Sequence, residues 1–263
     1  MQGYNFGRTF SRTFGLIRDG LPTVGIFMLV IQIVSTALNY LLQGQLAGQI
    51  RQNIEAGSAL QGPAALYGAP LYWLSIAIGL VLAVVIYTGS IHGYLAVERG
   101  KPASIGECFS AGLSKFLPGL GLLILWSLGV GLGWVLIIVP GLMLMTMWSA
   151  ALPSLVAEDC GVIESFGRSR ALTKGYRWAI FGTLFVALLL IYVPAVVFGG
   201  ALVASVGTGI MAGQGPSIVF VIGTAVYGWL VGMFINALLT SIYLDCRLAK
   251  EGSTTGQLSD VFE

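Results

Sequence analysis

The sequence predicts an all-α fold: an integral membrane six-helix bundle, built as three repeats of an interfacial amphipathic helix plus a transmembrane hairpin. Three observations predict it. The chain contains charge-free runs too long for a soluble core, proline and glycine divide those runs into six, and the basic residues fall on alternate connections. The runs extend from Gly20 to Ile50, Ala56 to Val97, Phe116 to Ala157 and Trp178 to Leu244, or 31, 42, 42 and 67 residues. One helix needs about 20 apolar residues to cross a hydrocarbon core of ~30 Å. Only 9% of the 263 residues are charged and the mean hydropathy is +0.88, against roughly 25% charged in soluble domains. The runs are continuously apolar instead of alternating, which disfavours a β-barrel.

The spans follow in order. Residues 1–19 are polar and hold Arg8, Arg12 and Arg18. The apolar segment behind them is too long for a signal peptide and lacks a cleavage site, so an uncleaved first span is expected at about Leu21–Gln43. The second lies at about Leu71–Val97. Phe116–Ala157 holds two spans, separated by the turn Val139-Pro140-Gly141. Trp178–Leu244 holds two more, separated around Gly207–Ser217, where Gly207, Gly209, Gly213, Gly215 and Pro216 cluster. Residues 44–70 form the one sizeable outer loop. Lysine and arginine count 3, 3, 4 and 2 in the N-terminus, second loop, fourth loop and tail, and the other loops share only Arg51. The positive-inside rule then places both termini in the cytoplasm of a multi-pass inner-membrane protein. Cys108, Cys160 and Cys246 fall on that reducing side, where disulfides are not expected.

Each cytoplasmic segment leading into a hairpin carries an apolar stripe. Phe6, Phe10, Phe14 and Ile17 share the spacing of Ile105, Phe109, Leu113 and Phe116; Ile163 and Phe166 begin a weaker version before Leu172. Such stripes suit helices lying in the interface, apolar side toward lipid. The hairpins also end alike, in Leu95-Ala96-Val97-Glu98-Arg99-Gly100, Leu155-Val156-Ala157-Glu158-Asp159-Cys160-Gly161 and Leu248-Ala249-Lys250-Glu251-Gly252. Glu107, Phe109, Leu113 and Lys115 match Glu164, Phe166, Leu172 and Lys174 across a two-residue insertion. The expected units of a single domain are therefore 1–100, 101–160 and 161–252, with a tail at 253–263. Repeats of even span number share one topology.

Several residues are candidates for chemistry. His92, the one histidine, lies near the end of the second span between Gly89-Ser90 and Gly93-Tyr94. An intramembrane ionisable group is a functional hypothesis, but without nearby acids it offers no relay, and the plainer reading is a neutral imidazole hydrogen-bonded across a close helix contact. A zinc site from His92 and the three cysteines would lack any ligand spacing such as C-x₂-C. Pro153 and Pro194, inside the fourth and fifth spans, should each lose a bond to Ser149 or Leu190 and kink the helix, and broken helices can build a substrate site. Glu98, Glu158, Asp245 and Glu251 recur near Arg99, Lys174, Arg247 and Lys250, as depth-setting charge pairs or as groups positioning the cations. Arg12, Arg18, Arg99, Arg168, Arg170, Lys174 and Arg247 are the candidates to face lipid headgroups. Gly129, Gly131, Gly133 and the Gly228–Gly232 pair suit close approach between spans. No nucleotide, metalloprotease or hydrolase signature occurs. No cofactor is expected, and the charge pattern does not suit nucleic acid.

At residues 140–178 the sequence becomes more specific. Pro140, Leu152-Pro153-Ser154-Leu155-Val156-Ala157-Glu158, Glu164, Ser169, Leu172-Thr173-Lys174-Gly175 and Trp178 resemble a family of bacterial membrane proteins. That family is similar to the membrane domain found in front of some glycerophosphoryl diester phosphodiesterases. The ending from Tyr243-Leu244-Asp245-Cys246-Arg247 to Glu251-Gly252 resembles the family's as well. The resemblance implies a six-helix membrane domain, with phosphodiesterase chemistry belonging to a separate soluble domain for which a chain ending at Glu263 has no room. The expected function is non-enzymatic, exerted through membrane lipids, partner membrane proteins or self-association. The alternatives are a flippase-like transporter of a lipid or other amphiphile and a small intramembrane enzyme using His92 and the cysteines.

Overall fold

The computed structural model describes residues 3–55, 70–101, 103–136, 138–211 and 218–252. Among these residues all regular structure is helical, and six segments are long and apolar enough to cross a membrane: Phe6–Leu41, Tyr72–Glu98, Phe116–Leu136, Val139–Glu158, Arg177–Val196 and Ile218–Glu251. The protein is an all-α, multi-pass membrane protein.

The helices are α1 (Phe6–Gly20), α2 (Ile26–Glu55), α3 (Pro70–Glu98), α4 (Ile105–Ser114), α5 (Phe116–Leu136), α6 (Ile138–Met147), α7 (Ala151–Glu158), α8 (Val162–Thr173), α9 (Arg177–Met211) and α10 (Ile218–Glu251). The short helices α1, α4 and α8 each precede a pair of spans. Sequence and structure differ in four places. The first amphipathic helix is joined to its span through a π-helical turn, Leu21–Gly25, with Pro22 as its second residue. Helix α2 continues to Glu55, well into the expected outer loop, and 56–69 lie outside the described residues. Helix α5 ends at Leu136 and α6 begins at Ile138, so Pro140, placed at the turn by the sequence, sits in the first turn of α6 and needs no intrahelical N–H there. Helix α9 runs through Gly207 and Gly209 to Met211; Gly213, Gly215, Pro216 and the tail 253–263 lie outside the described residues.

The short helices share one register. Asn5 accepts from the Arg8 N–H at 3.1 Å. Ser104 and Glu107 form a reciprocal capping box at 3.2 and 2.7 Å. Glu164 accepts from the Gly161 N–H at 3.4 Å. Caps of this kind satisfy amides that a helix start leaves unpaired. Counting from them, the fourth residue is Thr9, Cys108 or Ser165, the fifth Phe10, Phe109 or Phe166, and the eighth Thr13, Gly112 or Ser169. The fourth and eighth residues are buried in all three. No insertion is needed, and Leu172, placed in the outer stripe by the sequence, is 1% exposed and belongs to the core. The opposite faces stay open: Phe14 is 55% exposed, Phe109 47% and Ile163 72%. The spans before each short helix, or closing the chain, also end alike, on left-handed residues Gly100, Asp159 and Gly252 (φ 69°, 55° and 76°).

The fold divides into two compact units that cut across chain order. One comprises residues 1–27, 84–190 and 232–263; the other comprises 28–83 and 191–231. In the first, Ile91 and Leu95 of α3, Leu152 and Leu155 of α7, and Ile242, Tyr243 and Cys246 of α10 form the centre of the core. Helix α4 reaches α3 through glycine: a Cβ at Gly89 would lie 2.5 Å from the Cys108 carbonyl oxygen, and one at Gly93 2.9 Å from Cys108 Sγ. Gly129 packs on Trp148 and Gly133 on Gly141, whereas Gly131 faces open space. In the second unit Gly228 meets Gln32 and the Tyr227 hydroxyl donates to the Ile191 carbonyl. Gly89→Ala should lower stability by about 1–3 kcal/mol through overpacking, while Gly79→Ala, where nothing lies within 4 Å, should not. Thermal unfolding of the two variants in mild detergent checks this; equal midpoints would contradict the close contact.

Candidate functional site

The first unit gathers the three short helices, and each docks on the closing span of a hairpin. Helix α4 lies on α3: besides Gly89 and Gly93, the Thr88 hydroxyl reaches the Gly112 carbonyl at 3.3 Å. Helix α8 lies on the joint between α6 and α7, and α1 lies on the end of α10.

The α8 contact explains the fourth span. Between Met147 and Ala151 the helix is interrupted by a turn, which frees backbone groups that would otherwise go unpaired in a buried place. Ser169 accepts from the Ala150 N–H at 3.2 Å and donates to the Met147 carbonyl at 2.8 Å; Thr173 donates to the same carbonyl at 3.2 Å. Pro153 is the third residue of α7, where a proline removes no intrahelical bond. The kink expected from it is therefore a break located upstream of it. Pro194 lies inside the continuous α9, half-buried, in the second unit.

The α1 contact is electrostatic. Asp245 is fully buried. Its Oδ1 accepts from Arg8 Nε at 2.9 Å and Arg12 Nη1 at 2.7 Å, and its Oδ2 from the Thr9 hydroxyl at 2.6 Å. Arg12 Nε also lies 3.5 Å from Glu98. A second network joins α7, α8 and α10. Arg168 bonds both oxygens of Glu158, at 2.7 and 3.0 Å, and also bonds Glu251. Tyr243 donates to Glu158 at 2.8 Å, and Arg247 Nε donates to Glu251 at 3.0 Å. Hydrogen bonding to Glu158 and then to Glu251 holds the Arg168 guanidinium above its ordinary range. Lys115 pairs with Asp159. These links put the N-terminal helix and the ends of α3, α7 and α10 on one face.

The candidates thus divide. Arg12, Arg168 and Arg247 are held in ion pairs. Arg18, Arg99, Arg170 and Lys174 are exposed and make no ion pair among the described residues. The acids find different partners from those the sequence suggested, because α1 and α8 bring arginines from elsewhere in the chain. His92 is half-buried. Its neighbours Gly89 and Gly93 make the close contact, and no hydrogen bond of the imidazole is found among the described residues. The sequence names Asp245 as an acid near Arg247 and does not single out Thr9 or Tyr243; the pair Arg8 and Arg12, at i and i+4 on α1, has no acid three or four residues away on that helix.

Two cavities accompany these elements. One, of about 460 Å³, lies beside α1 and is lined by Arg8, Arg12, Leu16, Asp19 and Glu98, so its charge is mixed. The other, of about 420 Å³ in the second unit, is lined by Leu29, Gln32, Tyr40, Ile218, Ile222 and Val226 and is apolar. Neither is lined by Pro153 or Pro194. No protein-family model, curated protein or solved structure matches the chain.

Removing the buried carboxylate takes away the shared acceptor of Arg8, Thr9 and Arg12, so Asp245→Ala should cost about 3–5 kcal/mol. Glu98→Gln, at a partly exposed pair, should cost under about 1 kcal/mol. Unfolding titrations in mixed micelles read both; an Asp245→Ala midpoint equal to wild type would sink the assignment. Burial also pushes the Cys108 thiol up, to about 11. Maleimide at neutral pH should therefore modify the half-buried Cys160 and spare Cys108 until the protein unfolds, as peptide mapping would show.

Proposed function

We propose that the chain is a non-enzymatic inner-membrane protein, with both termini cytoplasmic, that acts through membrane lipids or partner proteins. Its place is in envelope or lipid homeostasis, or as a subunit of a membrane complex. The observation that carries this reading is the pair of faces on α1, α4 and α8. Small buried residues clamp each helix to a span, while Phe6, Phe14, Ile105, Phe109, Leu113 and Ile163 point away from the protein. Helices so arranged lie at the headgroup boundary with their apolar sides in lipid. The common register of caps, buried positions and phenylalanines supports descent of the three segments from one repeated unit. The likeness of residues 140–178 to a bacterial membrane-domain family points the same way. Asp245, Glu158 and Glu251 are engaged by arginines that hold helices together, which supports a structural use of the acids over acid–base catalysis.

A flippase-like reading has one observation in its favour, the apolar cavity beside Gln32 and Tyr40, which has room for part of an acyl chain. It offers no charged group to lead a headgroup.

The topology is tested with Arg99→Cys and Arg170→Cys in a background lacking the native cysteines. An impermeant maleimide should label both only after the inner membrane is opened. Labelling of either from the periplasmic side would overturn the orientation. Purification in a mild detergent should retain lipid on the wild-type protein, read by mass spectrometry.

A further inference from the structure

The described cations fall into two populations. Arg8, Arg12, Lys115, Arg168 and Arg247 are bound to carboxylates. Of those that make no ion pair among the described residues, Lys174, Arg177 and Lys250 lie about one tyrosine, the first two beside it in the chain and the third over its ring. Lys174 and Arg177 flank Tyr176 in the link between α8 and α9, where Gly175 (φ 92°) turns the chain. Lys250, from the last turn of α10, places its Nζ 5.3 Å from the centre of that ring. The ring of Tyr4 stacks on Tyr176 at 6.1 Å, and the Tyr4 hydroxyl is tied to Thr183 at 2.9 Å, so the aromatic floor is anchored.

This arrangement is unfavourable for the protein alone. Like charges repel, and a cation at the start of a helix opposes the positive end of the helix dipole. Arg177 Nε is buried without a hydrogen-bond partner among the described residues. The first backbone bond of α9 runs from the Ile180 N–H to the Tyr176 carbonyl at 2.9 Å, so the amides of residues 177–179 precede the ladder. An anion beside these cations and the start of α9 offsets the like-charge repulsion and meets the positive end of the helix dipole. Its source follows from depth. Helix α9 is a span, and Trp178, its second residue, is 87% exposed, as suits an aromatic at the membrane–water boundary.

We propose that Lys174, Arg177 and Lys250, set around Tyr176, form a binding site for the phosphate of an anionic phospholipid drawn from the surrounding leaflet. The proposal rests on the lipid-interacting reading above and names its site.

The test uses the full chain in mild detergent with added phosphatidylglycerol or phosphatidylcholine, counting retained lipid by native mass spectrometry. Wild type should retain phosphatidylglycerol in preference. Each basic residue near an anionic surface changes affinity roughly fivefold, so K174Q/R177Q/K250Q should lower that preference about tenfold or more. The control K101Q, on the exposed link after α3, should keep it. Should the triple variant fail to purify as a single species, Arg177→Gln should lower the preference about fivefold and Arg177→Lys should restore most of it. A wild type with no preference would sink the lipid reading itself. A preference kept by the triple variant, or lost equally in the control, would overturn this site and leave that reading standing. Displacement of phosphatidylglycerol by millimolar inorganic phosphate would overturn the lipid as the source.

Discussion

A carboxylate without water is the constraint on which the first unit depends. Asp245 belongs to a helix otherwise suited to hydrocarbon, and nothing at its position exposes it to solvent. An ionised group so placed is tolerated only when paired and hydrogen-bonded. Arg8, Arg12 and Thr9 supply three donors, all from one face of α1. The N-terminal helix is thereby fixed to the last span, and the rotation that points its arginines at Asp245 turns Phe6 and Phe14 outward. One ion-pair geometry decides both what α1 grips and what it offers to lipid.

The other two attachments solve the same problem without a buried charge. Helix α4 approaches α3 where glycines leave space, so backbone and thiol meet at van der Waals distance. Helix α8 brings hydroxyls to a break in the fourth span. Breaking a helix in an apolar setting leaves carbonyls and amides that must find partners, and Ser169 and Thr173 are those partners. The three contacts use different chemistry at corresponding positions along the short helices: Thr9 and Thr13, Cys108 and Gly112, Ser165 and Ser169. What they share is size. A small residue at the fourth and eighth places lets an amphipathic helix lie close to a span while its large residues face away.

The charges then sort by partner. Arginines that knit the unit together are spent on Asp245, Glu158 and Glu251, and hydrogen bonding of this kind keeps them from binding anything else strongly. The cations left over are on links and exposed turns, where an anionic surface is within reach. A basic residue near a membrane is thus poor evidence of headgroup contact until its carboxylate partners are known. Of the seven cations the sequence nominates, Arg12, Arg168 and Arg247 are held in ion pairs, whereas Arg177 stands outside that set and is singled out by the structure.

The sequence by itself determined the class of the protein, the number of apolar helices and the existence of short amphipathic helices before each hairpin. Those properties are sums over neighbouring residues: hydropathy over twenty positions, and a stripe such as Ile105, Phe109 and Leu113 over ten. Tertiary structure decided the rest. Leu172 reads as part of a stripe, yet helix rotation buries it. Pro153 reads as a kink, yet the break lies upstream because Ser169 and Thr173 can hold the freed backbone there. Asp245 reads as a surface charge at a helix end, yet it meets Arg8 and Arg12 from the far end of the chain. Such pairings depend on which helices are neighbours, and strength of pairing in oil depends on burial, neither of which is a property of any local run of residues.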